Sequence, residues 1–309
     1  LVGSEMCIRD RAYGLKARYT MHLLKRSANK DADMEKVLEY VNNSFESAEE
    51  QAAFDVYDAN NINPLYGFFV ARAGLGASES MRSKLAEYND PRLSRAFITK
   101  QGTSGKEQAP GTADNAVYAP NGTPEQGTSK YGTSLFMYSI SAPTLLLSYH
   151  ELKFLEAEAL CRLERDAKSA LKDAVVAGLL NAENSFTISR KELGKTLINA
   201  ASSITEAEAE SYFDNTIEAK YTAEPLKTTM TQKYFALWGA SGEATESYND
   251  VRRMKGLGEN FIELKNPNSF PLRCPYGNSD TTTNAEVKAA YGNGQYVYSE
   301  NVWWAGGSR

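Results

Sequence analysis

The chain has 309 residues, 34 lysines and arginines against 39 aspartates and glutamates, a net charge of −5 and two histidines. That length can bury a substantial core as one large domain or two smaller ones, and an acidic balance without basic runs argues against a nucleic-acid partner. Cys7, Cys161 and Cys274 are too few and too scattered for a disulfide framework or a zinc site, and no apolar run is long enough to span a bilayer.

Residues 1–11 (L-V-G-S-E-M-C-I-R-D-R) share no pattern with the rest of the chain. They look like a translated sequencing adapter, so the fold is expected to begin at Ala12, and Cys7 is not read as a lipid-bearing cysteine. From Ala12 to about Ser27, Leu15, Tyr19, His22 and Leu23 recur at helical spacing. A second helix is expected over Asp33–Val41, closed by the polar turn Asn42-Asn43-Ser44. Residues 12–50 thus read as a helical hairpin, the unit of a helix-repeat array.

Residues 55–143 lose that periodicity. Asn60-Asn61-Ile62-Asn63-Pro64, Asn89-Asp90-Pro91 and the Gly, Ser, Thr and Pro-rich stretch 102–132 predict an irregular insertion, broken by one helix at Ser78–Tyr88. A long irregular insertion between helical pairs is either disordered or functional. The tyrosines and phenylalanines strewn along this one favour a partly ordered, ligand-facing region.

Helices return at Tyr149, where Leu152, Leu155, Ala159, Leu160 and Leu163 make one apolar stripe, with a partner helix expected over Asp166–Asn181. Ser189 with Glu192, and Thr205 with Glu208, each match a capping box and predict two further helix starts. Pro225 opens a helix reaching Trp238, and Gly239 stops it. A further helix ends in Arg252-Arg253. Residues 149–256 therefore read as further pairs with tetratricopeptide-like packing, although no consensus repeat is legible. The tail 257–309 is expected to be irregular, with weak strand character at Gln295–Tyr298.

Catalytic patterns are missing from the sequence. No H-E-x-x-H, Walker A or G-x-G-x-x-G is present, and neither His22 nor His150 sits in a nucleophile-elbow context. Glycoside hydrolysis would need two carboxylates across a cleft, whereas the acids here lie mostly on polar helix faces. Loop Asp and Asn residues suit Ca²⁺ chemically but lack the spacing of a defined loop, so no cofactor and no metal site is expected.

Six segments occur in the order found in SusD-like proteins. They are Asn89-Asp90-Pro91-Arg92-Leu93, the helix from Ser148 to Ala159, and Thr231-Gln232-Lys233-Tyr234-Phe235-Ala236-Leu237. Then come Tyr248-Asn249-Asp250-Val251-Arg252-Arg253, Pro271-Leu272-Arg273-Cys274-Pro275-Tyr276 and Val302-Trp303-Trp304. Together, over roughly residues 12–305, they resemble the SusD/RagB family, specifically its SusD-like branch. Cys274 stands where the family usually has an aromatic residue, and Gly277-Asn278-Ser279-Asp280 where proline and glutamate are common.

The resemblance implies a mainly α fold of tetratricopeptide-like helical pairs with long irregular ligand-facing insertions, residues 12–309 forming one N-terminally truncated domain. It implies a non-catalytic, cell-surface lipoprotein of the outer membrane. Such a protein captures oligosaccharides or peptides and passes them to a SusC-like TonB-dependent transporter, held by an N-terminal lipid anchor that this sequence lacks. A helical-repeat protein-interaction scaffold and a glycoside hydrolase remain the alternatives. Candidate ligand contacts are Tyr57, Asn63, Tyr66, Phe68, Phe69 and Tyr131. Glu151 and Glu158, seven apart on one helix, share a face, and Arg252, Arg253 and Arg273 are suited to pair with them in helix-to-tail ion pairs.

Overall fold

The computed structural model describes residues 5–72, 75–101, 106–108, 118–123, 127, 130–193, 197–198, 202–266 and 269–308. Helix α1 (Glu5–His22) continues as a 3₁₀ turn to Arg26, and α2 (Lys30–Asn42) starts where the Asn29 side chain accepts the Ala32 N–H. α1 thus begins ahead of Ala12, with the Asp10 carbonyl accepting from the Ser44 hydroxyl. Ala17, Met21 and Leu24 of this first helical stretch meet Met34, Val37 and Val41 of α2 in a shared core.

The stretch expected to be irregular carries more structure than its turn formers suggest. Strand β1 (Ala52–Phe54) precedes three helices: α3 (Pro64–Arg72), α4 (Glu79–Glu87) and the short α5 (Arg92–Arg95). Strands β2 (Phe97–Gln101), β3 (Lys106–Gln108), β4 (Thr133–Ser134) and β5 (Thr144–Leu147) come next. β1 pairs antiparallel with β5, while β2 lies between β3 and β4. The expected helix at 78–88 is α4, capped by the Ser78 hydroxyl, which accepts from Met81 N–H. Much of 102–132 lies outside the described residues.

α6 (Tyr149–Arg162) is capped by Ser148, whose hydroxyl accepts the Glu151 N–H, and packs along both α2 and α7 (Lys168–Leu193). α7 corrects the sequence reading. Its 26 residues run unbroken through Ser189, where a new helix was expected. Ser189 is buried, and its one hydroxyl proton lies between the carbonyls of Leu135 (2.5 Å) and Ser185 (2.9 Å), inside the helix instead of at its end. Strand β6 (Leu197–Ile198) then runs parallel to β3.

Thr205 does cap: its hydroxyl accepts the Glu208 N–H, and Glu208 accepts the Thr205 N–H at 2.8 Å. That box opens α8 (Glu206–Tyr212), which passes through a π turn into α9 (Glu218–Ala223). α10 (Pro225–Ala236) has its proline in the first turn, where no N–H is needed, and packs on α6, α7 and α9. Gly239, at φ +77°, lies against the Phe136 ring, so a side chain there would meet both strain and a collision.

α11 (Ala244–Leu257) ends at the left-handed Gly258. The tail is not wholly irregular. It forms α12 (Asn278–Thr283), α13 (Ala285–Tyr291) and a 3₁₀ turn at Trp303–Ala305, and Gln295–Tyr298 is not a strand. A backbone bond from Leu272 N–H to Val297 C=O at 2.8 Å ties that segment to its neighbour. The fold is mainly helical. Its largest core joins Phe154, Leu171, Leu179, Phe186 and Phe213 across α6, α7 and the π turn.

Candidate ligand-binding surface

The β1–α3 segment holds five of the candidate contacts, and the structure divides all six by burial. Asn63 is buried, with both ends of its amide bonded. Its amide N donates to the Ala142 carbonyl at 2.8 Å, and its Oδ1 accepts the Leu65 N–H at 2.8 Å, capping α3 just before Pro64. Phe69 is buried edge-on against Tyr138, with ring centroids 5.0 Å apart. Tyr131 is buried beneath the Lys130 amine. These three side chains serve the fold.

Tyr57 is half-buried. Its hydroxyl and that of Thr144 are 2.7 Å apart, and its ring meets the Phe54 ring edge-on at 5.0 Å. Tyr66 is half-buried, and Phe68 is 53% exposed. Phe54, Val56, Val70 and Leu146 are exposed as well. Leu146 is the unpaired residue of a β-bulge between the Ala52–Leu147 and Ala53–Leu145 pairs, a device that re-aims a side chain. Apolar rings and branched chains therefore face water in this stretch, although monomeric proteins normally keep such patches small.

The carboxylate and arginine candidates have a different setting, most of them deep between helices. Glu158 is fully buried and accepts from Arg253 at 2.5 and 2.8 Å and from Arg162 at 2.8 Å. Arg253 also donates to Asp250 (2.8 Å), Asp250 holds the buried Lys233 amine (2.7 Å), and Arg162 grips Glu259 at 2.8 and 2.9 Å. Burial alone would raise the Glu158 pKa, but Arg253 and Arg162 outweigh it and hold the carboxyl well below the usual range.

Glu151 takes a different partner from those expected. Its carboxylate receives Nε of Arg18 at 2.8 Å and a second, very short bond from Nη2. The same Nη2 reaches Leu146 O (3.0 Å) and Glu243 Oε1 (3.2 Å), which also accepts the Ser148 N–H at 2.5 Å. Burial, reinforced by the charge of Glu151, pushes the Glu243 pKa well above the ordinary value and favours its protonated form. His150 is buried beside them, 3.9 Å from Glu243, and burial lowers its pKa to about 4, leaving it neutral. Sequence reasoning missed Arg18 and Glu243. The legible signal was a charged residue at buried-face spacing among Gly14, Ala17, Met21 and Leu24.

Arg252 and Arg273 reach neither glutamate. Arg252 lies between the rings of Tyr248 (4.2 Å) and Trp304 (4.9 Å) and donates to Asn249 Oδ1 at 2.9 Å. Arg273 stacks on Tyr276 and donates to that residue's hydroxyl at 2.9 Å. His22 binds Glu246 at 2.7 Å and stacks on Trp304, which pins the tail to α1.

Cys161 and Cys274 are free thiols. Among the described residues no cluster of three or more His, Cys, Asp or Glu side chains is placed to hold a metal ion, and no helix is long and apolar enough to cross a membrane.

A family model described as SusD-like, "Starch-binding associating with outer membrane", matches residues 11–276. The chain belongs to the SusD/RagB family. A SusD/RagB protein of Bacteroides thetaiotaomicron with a solved structure is 65% identical, with a TM-score of 0.93 over 97% of this chain and 64% of that one. The chain thus spans somewhat less than two thirds of that relative. A SusD homologue of Bacteroides fragilis (18% identity, TM-score 0.69, 97% and 67% of the two chains) shares the fold. So does a chitin-binding protein (18% identity, TM-score 0.70, 98% and 65%). No curated protein matches the chain.

Proposed function

We propose that this SusD-like chain is a non-catalytic nutrient-binding protein of the outer-membrane surface. It captures oligosaccharides or peptides and delivers them to a SusC-like TonB-dependent transporter, anchored in the full-length protein by an N-terminal lipid. The observation that carries this reading is the family match over residues 11–276. Two features of the site support it. Exposed aromatic and apolar side chains at 54–70 suit stacking against a sugar ring or packing against a peptide. The carboxyl pair that shares Arg18, Glu151 and Glu243, is 0% and 1% exposed, so a substrate has no route to it.

The test is to incubate the chain with a mixed panel of oligosaccharides and peptides and read retained and cleaved species by mass spectrometry. Retention of one class without turnover is the expected result and selects the cargo. Cleavage products would overturn the binding role, and retention of neither class would favour a protein-interaction scaffold.

A further inference from the structure

Lys84 lies in the last turn of α4 and lines an open groove of about 610 Å³ between α4, α10 and residues 260–265. Ser83, Tyr88, Asn260 and Phe261 share the groove wall with two carboxylates, Glu87 and Glu263. The half-buried amine binds the Ser80 hydroxyl at 2.6 Å and makes no ion pair among the described residues. Burial lowers its pKa, and the charges of Glu263 and Glu87 offset this only in part.

The other cations of this groove are already matched. Lys227 holds Glu224 at 2.8 Å and Lys265 holds Glu263 at 2.6 Å. Two other grooves are more acidic. One of about 480 Å³ beside α7 is lined by Glu49, Asp173, Glu206 and Glu210, and its Lys172 binds Asp214. One of about 750 Å³ beside α2 has Glu35, Glu39, Glu46 and Glu156, with Arg165 on Glu35 and Lys153 on Glu156.

Resting on the nutrient-binding reading above, we propose that the α4–α10 groove receives a carboxylate of the cargo on Lys84. An ammonium carries three N–H donors and no acceptor, and here a single neutral hydroxyl is its partner. A carboxylate would add a charge-assisted bond, roughly twice as strong as a neutral one, in a wall already partly shielded from water. Uronic-acid units of an oligosaccharide and acidic residues of a peptide both supply that group.

The test is calorimetric titration at low salt with galacturonate oligomers, neutral malto-oligosaccharides of equal length and an acidic hexapeptide, on the chain and on Lys84→Met and Lys84→Arg. One of the two anionic probes is expected to bind and to weaken at least about tenfold in Lys84→Met. Lys84→Arg should keep most of the affinity, and binding should fall as salt rises. Whichever anionic probe responds identifies the source of the carboxylate.

Anionic binding that is equal in Lys84→Met would overturn the proposal. So would a Lys84→Met effect confined to the melting temperature, since that marks an amine serving only the end of α4. Neutral oligosaccharide retained equally by all three proteins removes the carboxylate assignment but leaves the nutrient-binding reading in place. Failure of every probe, neutral ones included, counts against that reading itself.

Discussion

Glu151 and Glu158 sit seven residues apart on α6, both without solvent exposure, and are held in opposite ways. Glu158 belongs to a set with Asp250 and Glu259 against Lys233, Arg162 and Arg253, linked at 2.5–2.9 Å and balanced in charge. Glu151 shares one arginine, Arg18, with a second carboxyl, Glu243. In the balanced cluster Arg253 and Arg162 hold the Glu158 carboxyl toward its charged form. In the acid-rich one, burial and the Glu151 charge push Glu243 toward its protonated form. A buried charge is tolerable only when paired, and where cations run short the group neutralises instead.

The largest effect should come from breaking the balanced side. Arg253→Met strips Glu158 of its two-point partner and Asp250 of one bond, leaving uncompensated buried charge, and should cost about 3–5 kcal/mol in urea unfolding. A loss below about 1 kcal/mol would mean that the cluster relaxes or takes up water, and the contrast between the clusters would collapse.

Amide substitutions sharpen the same comparison with smaller effects. Glu158→Gln removes a real charge from between Arg253 and Arg162 and should cost about 1.5–3 kcal/mol. Glu243→Gln replaces a group pushed toward its neutral form and should change stability at pH 5 by less than about 1 kcal/mol.

The pH dependence then separates the two carboxyls by sign. The folded pKa of Glu243 is raised, so its favourable contribution is present below the unfolded value of 4.5 and is lost as pH climbs through the folded one. Relative to wild type, Glu243→Gln should therefore gain stability as pH rises above 4.5, at most about 1.4 kcal/mol per unit. Glu158 has a lowered pKa, so its contribution is present above 4.5 and is lost as pH falls. His150, lowered to about 4 by burial, loses stability in the same sense between pH 6.5 and 4, which is why the readout is a difference from wild type. A Glu243→Gln difference that is flat with pH would show Glu243 to be ionised.

The helical framework was legible because its signals are local. Apolar periodicity located α1, α2 and α6, and Pro225 and Thr205 marked real starts. Ser189 carried the same capping pattern as Thr205 and misled. Nothing in four residues distinguishes a helix start from a buried serine bonding back to its own helix at Ser185. Asn63-Pro64 failed in the reverse direction. It was read as a turn, yet an asparagine cap followed by proline is also how a helix opens, and α3 begins there.

Partner choice was the least visible layer. The shared face of Glu151 and Glu158 is set by their spacing, but which arginine reaches which carboxylate depends on contacts 95 and 133 residues apart in sequence. The candidate ligand contacts mixed two populations for a related reason. Composition identifies an aromatic-rich segment, and only packing decides which rings turn inward.

Phe68 and Phe69 show that limit in adjacent residues and give the smallest effect on stability. Phe69 packs on Tyr138, whereas Phe68 projects from α3 into solvent. Phe68→Ala removes little buried surface and should leave thermal unfolding within about 0.5 kcal/mol of wild type. If the exposed face of α3 meets cargo, the same variant should weaken retention of the bound oligosaccharide or peptide about two- to tenfold, the range of one aromatic contact. Unchanged retention alongside unchanged stability would remove Phe68 from the binding surface and shift attention to the groove at Lys84. A large loss of stability would instead show that the ring is covered in solution, so that its exposure belongs to an interface.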